Sequence, residues 1–238
     1  MEQERRQSFG RVERAKLIQL ANKTLYTSEG VEALAYLREQ RGLSDKVIET
    51  FQVGYVPRRV SHELRGRIIT PLLDPYGEPV AITSRHLEVK SFWHEQFDKS
   101  FHLYGLNVAK HAILRCGKAI VVEGEFDVTY LHSRGIDMTV GVCGSAFTAF
   151  QAAMLARYTD EIYLCFDRDK NGSGQKAVKR ALALQAELSP RKMSFIPVYL
   201  PMGKDPDDFV KENGRRAFAE LLTESKKNAD APKQLWMN

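Results

Sequence analysis

Cysteine is scarce in this 238-residue chain, with three in all. Cys116, Cys143 and Cys165 stand apart, without the paired Cys/His spacing that builds a zinc site, so no structural zinc is expected and the thiols read as reduced. Long apolar runs are also missing. None approaches the roughly 20 residues needed to cross a bilayer, and the opening MEQERRQSFGRVER is too charged for a signal peptide, so no membrane partner and a cytoplasmic location are expected. There are no internal repeats and no low-complexity linkers. A strong excess of one charge is lacking as well. The net charge of +5 permits a polyanionic partner without demanding one, and residues 1–115 carry 18 Lys+Arg against 14 Asp+Glu, so most of the basic excess lies early.

What is present is 43% hydrophobic content, enough for a real core, and a change of texture along the chain. Apolar side chains recur at helical spacing over 11–25 and 31–40. Gly42 closes the second segment, and Ser44 is placed to cap a third that ends near Phe51. From Arg65, RGRIITPLLDPYGEPVAITSRHL predicts two strands around a turn at Asp74-Pro75-Tyr76-Gly77. After Gly117 the pattern alternates. Ala119–Val122, Met138–Val142, Ile162–Phe166 and Phe195–Leu200 are predicted strands, and 125–134, 148–157 and 173–188 predicted helices. The fold class expected is α/β: a mainly parallel sheet flanked by helices, with a smaller basic N-terminal subdomain of mixed α+β character. The expected division is 1–115, then 116–203, then a short helical segment 204–238 that frays from 226.

Three acidic stations punctuate the second half: Glu123 in VVEGEFD, Asp167 and Asp169 in CFDRDKNG, and Asp205 and Asp207 in GKDPDD. The first two follow predicted strands, which would crowd carboxylates at one sheet edge, where ligands of open α/β sheets usually sit. Like charges raise one another's pKa, and a hard oxygen-binding cation such as magnesium relieves the repulsion. Each station also has a plainer reading. Glu123 to Asp127 fits a strand end followed by a helix with an acidic first turn, although Gly124 permits a tight turn or close approach to a ligand. Asp167 and Asp169 fit a turn with capping carboxylates, and Asp205 before Pro206 is a natural helix N-cap. Arg65, Arg67, Arg85, Lys90 and Lys99 interleave with Phe92, Trp93, Phe97, Phe101 and Tyr104. Such a mixture suits a single-stranded nucleic acid surface, or else solvated charges over a core.

Taken together, VVEGEFDV, GSAFT at 144–148, CFDRDKNG and LPMGKDPDD, in that order and spacing, resemble the TOPRIM part of the RNA polymerase domain of bacterial DnaG-type primases. Upstream, ALAYLREQRGLSDKVIETFQVGYVP, the 65–87 hairpin and FDKSFHLYGL resemble the segments before the catalytic fold in that family, so the likeness runs from about residue 30 to about 215. The resemblance implies synthesis of short RNA primers on single-stranded DNA from ribonucleoside triphosphates, with Glu123, Asp167 and Asp169 binding magnesium, or manganese in its place. It implies Asp127, Asp205 and Asp207 as supporting acidic residues, the last two also metal-proximal. It assigns Arg65, Arg67, Arg85, Lys90 and Lys99 to template, product or nucleotide phosphates, with a shortened segment after Lys90. Two features depart from the cellular family. Residues 1–30 hold neither Cys nor His, and the tail leaves no room for a helicase-binding domain. A compact stand-alone core of bacteriophage type, served by a replicative helicase and a separate zinc-binding or template-recognition component, is the expectation. A TOPRIM nuclease or topoisomerase-related enzyme and a non-catalytic nucleic-acid-binding replication subunit stay open beside it.

Overall fold

The structure is a computed structural model that describes residues 9–60, 62–89, 91–144, 146–168, 172–187 and 193–231. Lys90 and Asp169, both singled out from the sequence, lie outside the described residues.

The predicted early helices are present as α1 (Arg11–Leu25), α2 (Val31–Ala35), which continues as a wider helical turn over Tyr36–Gln40, and α3 (Asp45–Thr50). Ser44 caps α3 as expected, its hydroxyl accepting from the Val47 amide at 3.4 Å. The hairpin forms β2 (Arg67–Leu73) and β3 (Pro79–His86), joined by a turn in which the Asp74 carboxylate accepts from the amides of Tyr76 and Glu78 at 2.8 and 2.9 Å. Two short strands escape the sequence pattern, β1 (Gly54–Tyr55) and β4 (Phe92–His94). They complete an antiparallel sheet in the order β1-β2-β3-β4.

Strand alternation gives this sheet two apolar faces. Ile69 and Ile82 point to α1, where they pack with Leu17, Ile18 and Ala21, and Tyr55, Ile68, Leu72 and Ala81 point the other way into a cluster that runs through the rest of the molecule. A fully buried Leu or Ile side chain contributes about 1.5–3 kcal/mol, so the sheet is held from both sides.

The second half contains a parallel sheet of β5 (Ala119–Val122), β6 (Thr139–Gly141), β7 (Glu161–Leu164) and β8 (Ser194–Pro197), in the order β6-β5-β7-β8. Its strands are apolar on both faces because both are covered. Ile120, Val122 and Tyr163 face α5 (Glu125–Ser133), α8 (Pro206–Asp230) and the N-terminal helices. Ala119, Val121, Ile162 and Leu164 face α4 (Leu106–Cys116), α6 (Ala149–Leu155) and α7 (Ser173–Glu187). Helix α4 has Leu106, Ala109 and Ile113 buried at helical spacing, yet was not anticipated from the sequence, and it lies on the parallel sheet although it falls within residues 1–115. The tail is helical further than expected. α8 bends at Gly214 and runs to Asp230, held late in its course by an ion pair between Lys226 and Glu161. Among the described residues no helix is long and apolar enough to cross a membrane.

Candidate nucleotidyl-transfer site

Because the four strands of the second sheet are parallel, their carboxyl ends open on one edge, and the acidic stations gather there. Glu123 directly follows β5. Strand β7 ends at Leu164, two residues earlier than predicted; the Cys165 amide still donates to the Val121 carbonyl of β5 at 2.9 Å, and from Asp167 the chain turns to other partners. The Arg168 amide donates to the Lys204 carbonyl at 3.0 Å and the Gly203 amide to the Arg168 carbonyl at 2.7 Å. The second and third stations are thus tied backbone to backbone. The Arg168 guanidinium adds a bond to the Leu200 carbonyl at 2.8 Å.

Side chains close the arrangement. The Asp167 amide donates to the Glu123 carboxylate at 3.3 Å, joining the first two stations. The Asp127 carboxylate turns back to accept from the Gly124 amide at 3.2 Å. A Cβ on Gly124 would stand 2.8 Å from Asp127 Oδ2, so the glycine foreseen as room for a ligand makes room for this carboxylate. Gly174, near the start of α7, allows a still closer approach, since a Cβ there would overlap the Asp167 carbonyl oxygen.

Asp127, Asp205 and Asp207 each present a carboxylate oxygen within 4.8 Å of the others. The structure therefore brings the third station to Asp127, while Glu123 and Asp167 form a neighbouring pair. The expected capping role of Asp205 is also met, its side chain accepting from the Asp208 amide at 2.8 Å.

Crowding shows in the acidities. Burial, followed by the charges of Asp167, Asp205 and Asp207, holds the Asp127 carboxyl well above the usual range. Burial and the neighbouring Asp207 push Asp205 up to about 7. Asp207, 5% exposed, is also raised by burial, but hydrogen bonds from Asp205 and from Lys211 at 2.8 Å outweigh that and leave it below the usual value. An all-oxygen donor set whose carboxylates crowd within 4.8 Å of one another fits a hard divalent cation.

The basic residues divide. Arg67 pairs across from His86 and Arg85 from Ile68, so the register places them on opposite faces of the antiparallel sheet. Arg67 turns inward, donating to Ser84 Oγ at 2.9 Å and to the Ser91 carbonyl at 2.9 Å. Arg85 lies 5.3 Å from the Tyr36 ring and 5.5 Å from that of Phe92, and its Nε is buried without a hydrogen-bond partner. Arg65 is exposed, and Lys99 lies with its stem near Gly144.

Arg41 joins the site without a sequence signal of its own. Its guanidinium sits 4.1 Å from the Phe126 ring and 6.0 Å from that of Tyr36, its charge helps lower the Asp207 pKa, and its Nε has no partner. Standing before the helix-ending Gly42, it carried no signal except its place inside the REQRGLS stretch.

A Toprim-like family profile matches residues 120–210, the stretch from β5 to the start of α8. The DNA primase of Aquifex aeolicus is 34% identical over 82% of this chain, which spans 40% of that protein's length. Among solved structures, the E. coli primase catalytic core superposes with a TM-score of 0.78 at 26% identity, covering 89% of this chain and 78% of that one. A DnaG primase catalytic domain bound to ssDNA gives 0.79 at 25% identity, covering 88% and 79%. With an antiparallel sheet set before a Toprim-like parallel one, the chain matches the catalytic core of the bacterial DnaG-type DNA primases over most of its length.

Proposed function

We propose that this chain joins ribonucleotides into short primers on a single-stranded DNA template. The observation that carries the reading is the convergence of Glu123, Asp127, Asp167, Asp205 and Asp207 at one sheet edge, with Arg41 near enough to Asp207 to affect its ionisation. Glu123 and Asp167, with Asp169 beside them in sequence, would hold magnesium or manganese, and the Asp127, Asp205 and Asp207 group offers a second set of oxygens. When bound, the metal supplies charge neutralisation at the triphosphate and a more acidic 3′-hydroxyl.

The chain's own side chains supply position. Arg41 and Arg85, both beside Tyr36 and both with a spare buried donor, would orient phosphates, and Lys99, beside Gly144, would hold the strand. No side-chain nucleophile is needed. Template selection and loading would draw on a replicative helicase and a zinc-binding or template-recognition component, and the expected setting is the cytoplasm.

The test is magnesium-dependent incorporation of labelled ribonucleotides on primer-free single-stranded DNA. Wild type is expected to make short RNA, and Glu123→Gln and Asp167→Asn to make none. Incorporation that survives both substitutions refutes the site, and nicked plasmid without RNA synthesis would assign the chain to the nuclease class instead.

A further inference from the structure

Two large aromatic side chains stand exposed next to each other on the surface. Phe101 is 43% and Phe150 59% accessible, with ring centroids 4.4 Å apart at an interplanar angle of 51°. Phe147, one turn away, shows what a core phenylalanine does here: it is 3% exposed and meets Phe195 edge to face at 5.7 Å. The outward pair is held firmly. Phe150 lies in the first turn of α6 and Phe101 in a short helical turn over Lys99–Phe101. Thr148 Oγ1 donates to the Ser100 carbonyl at 2.7 Å, and the fully buried Gln151 donates through Nε2 to the carbonyls of Lys99 at 3.0 Å and His102 at 2.7 Å.

Their position is informative. The loop after β6 leaves its carboxyl end, and β6 pairs with β5, the strand that Glu123 directly follows. Lys99 lies along that loop, its Cδ 3.8 Å from where a Cβ on Gly144 would stand, and its ammonium is 6.0 Å from the Phe97 ring. A cation and two open aromatic faces thus share the rim of the edge that carries the acidic site. Cationic and aromatic groups together recognise a charged backbone bearing flat bases, and do so without regard to sequence because every base has a π face.

We propose that Phe101 and Phe150 form a stacking platform for a base of single-stranded nucleic acid passing the site, with Lys99 on the adjoining phosphate. The proposal rests on the nucleotidyl-transfer reading above. A second copy of the chain is the weaker occupant, since a stable protein interface buries about 1,600 Å² and two rings supply only a small part of that.

The test is fluorescence anisotropy of a fluorescein-labelled oligo-dT at several KCl concentrations, with wild type, the Phe101→Ala/Phe150→Ala double variant, Phe150→Tyr and Lys99→Ala. The double variant is expected to weaken binding roughly tenfold or more with the salt slope unchanged, Phe150→Tyr to bind like wild type, and Lys99→Ala to lower the slope by about one. Far-UV circular dichroism is expected to show unchanged thermal midpoints, because the rings are exposed. A double variant that binds as wild type does, while wild type makes RNA, overturns the platform and leaves the nucleotidyl-transfer reading intact. Wild type that neither binds oligo-dT nor incorporates ribonucleotides overturns both. A wild-type dimer that the double variant dissolves without loss of DNA binding assigns the pair to self-association and also overturns the platform.

Discussion

Removing the Glu95 carboxylate should cost more than any other single truncation in the N-terminal sheet. Its side chain is 0% exposed and accepts four hydrogen bonds. Oε1 takes the Phe9 amide at 2.7 Å and Arg14 Nη2 at 2.6 Å, and Oε2 takes Arg14 Nε at 3.0 Å and the Ile82 amide at 3.0 Å. Arg14, 10% exposed, is further fixed by the carbonyls of Phe9 at 2.8 Å and Pro79 at 3.2 Å. Glu95→Ala therefore strands a guanidinium and two backbone amides in a buried place, and breaking such a pair from one side costs about 3–5 kcal/mol. That is a large share of the roughly 5–15 kcal/mol by which domains are stable. In urea, with a slope of about 2 kcal/mol per M, the midpoint should fall by about 1.5–2.5 M without a change in slope. Arg14→Ala should cost a similar amount, and the Arg14→Ala/Glu95→Ala double variant less than the two truncations added together, a coupling of about 2–3 kcal/mol. The assay is urea unfolding followed by circular dichroism for all four proteins. A Glu95→Ala shift below about 0.5 M, or strict additivity, refutes the claim that this pair ties α1 to β3 and β4.

Three further outcomes are expected. Gly174→Ala forces a methyl into the Asp167 carbonyl oxygen, so it should destabilise by about 1–3 kcal/mol and reduce ribonucleotide incorporation; urea unfolding with the incorporation assay checks both, and a fully stable, active variant would falsify the close approach. In metal-free protein, the Asp205 pKa of about 7 lies above its unfolded value of about 3.9, so the stability from holding that proton is complete below the unfolded value and lost as pH rises through about 7. The thermal midpoint should fall as pH rises from about 4 to 7 and level off above that, magnesium should flatten the slope, and a slope as steep in Asp205→Asn as in wild type is the wrong result. Burial depresses the His132 pKa, only partly offset by its bond to the Thr139 carbonyl at 2.9 Å and by Asp137, so its contribution is present above about 6.5 and lost as pH falls below that. Wild type should lose more stability than His132→Gln between pH 7 and 5, measured by urea titration, and parallel losses would count against it.

Sequence alone determined what depends on neighbours along the chain. Helical spacing gave α1 and α3, the Asp74 to Gly77 turn gave the hairpin, and apolar runs followed by Glu123 and Asp167 gave a parallel sheet with acid at one edge. Asp205 was legible as a cap because capping is a contact of three residues. Short elements such as β1 and β4 carry too little periodicity to register, and they exist because β2 and β3 offer edges to pair with. Only the tertiary structure decided which carboxylates meet. Asp127 reaches Asp205 and Asp207 because helix α5 starts where the Gly203 loop is pinned to Arg168, a contact between residues far apart in sequence. It also separated Arg67 from Arg85, since strand register sets a side chain's face, and it turned Arg41 toward Asp207 and Phe150 toward solvent. Local pattern fixes which way a chain folds back on itself, whereas the grouping of charges is a property of the packed whole.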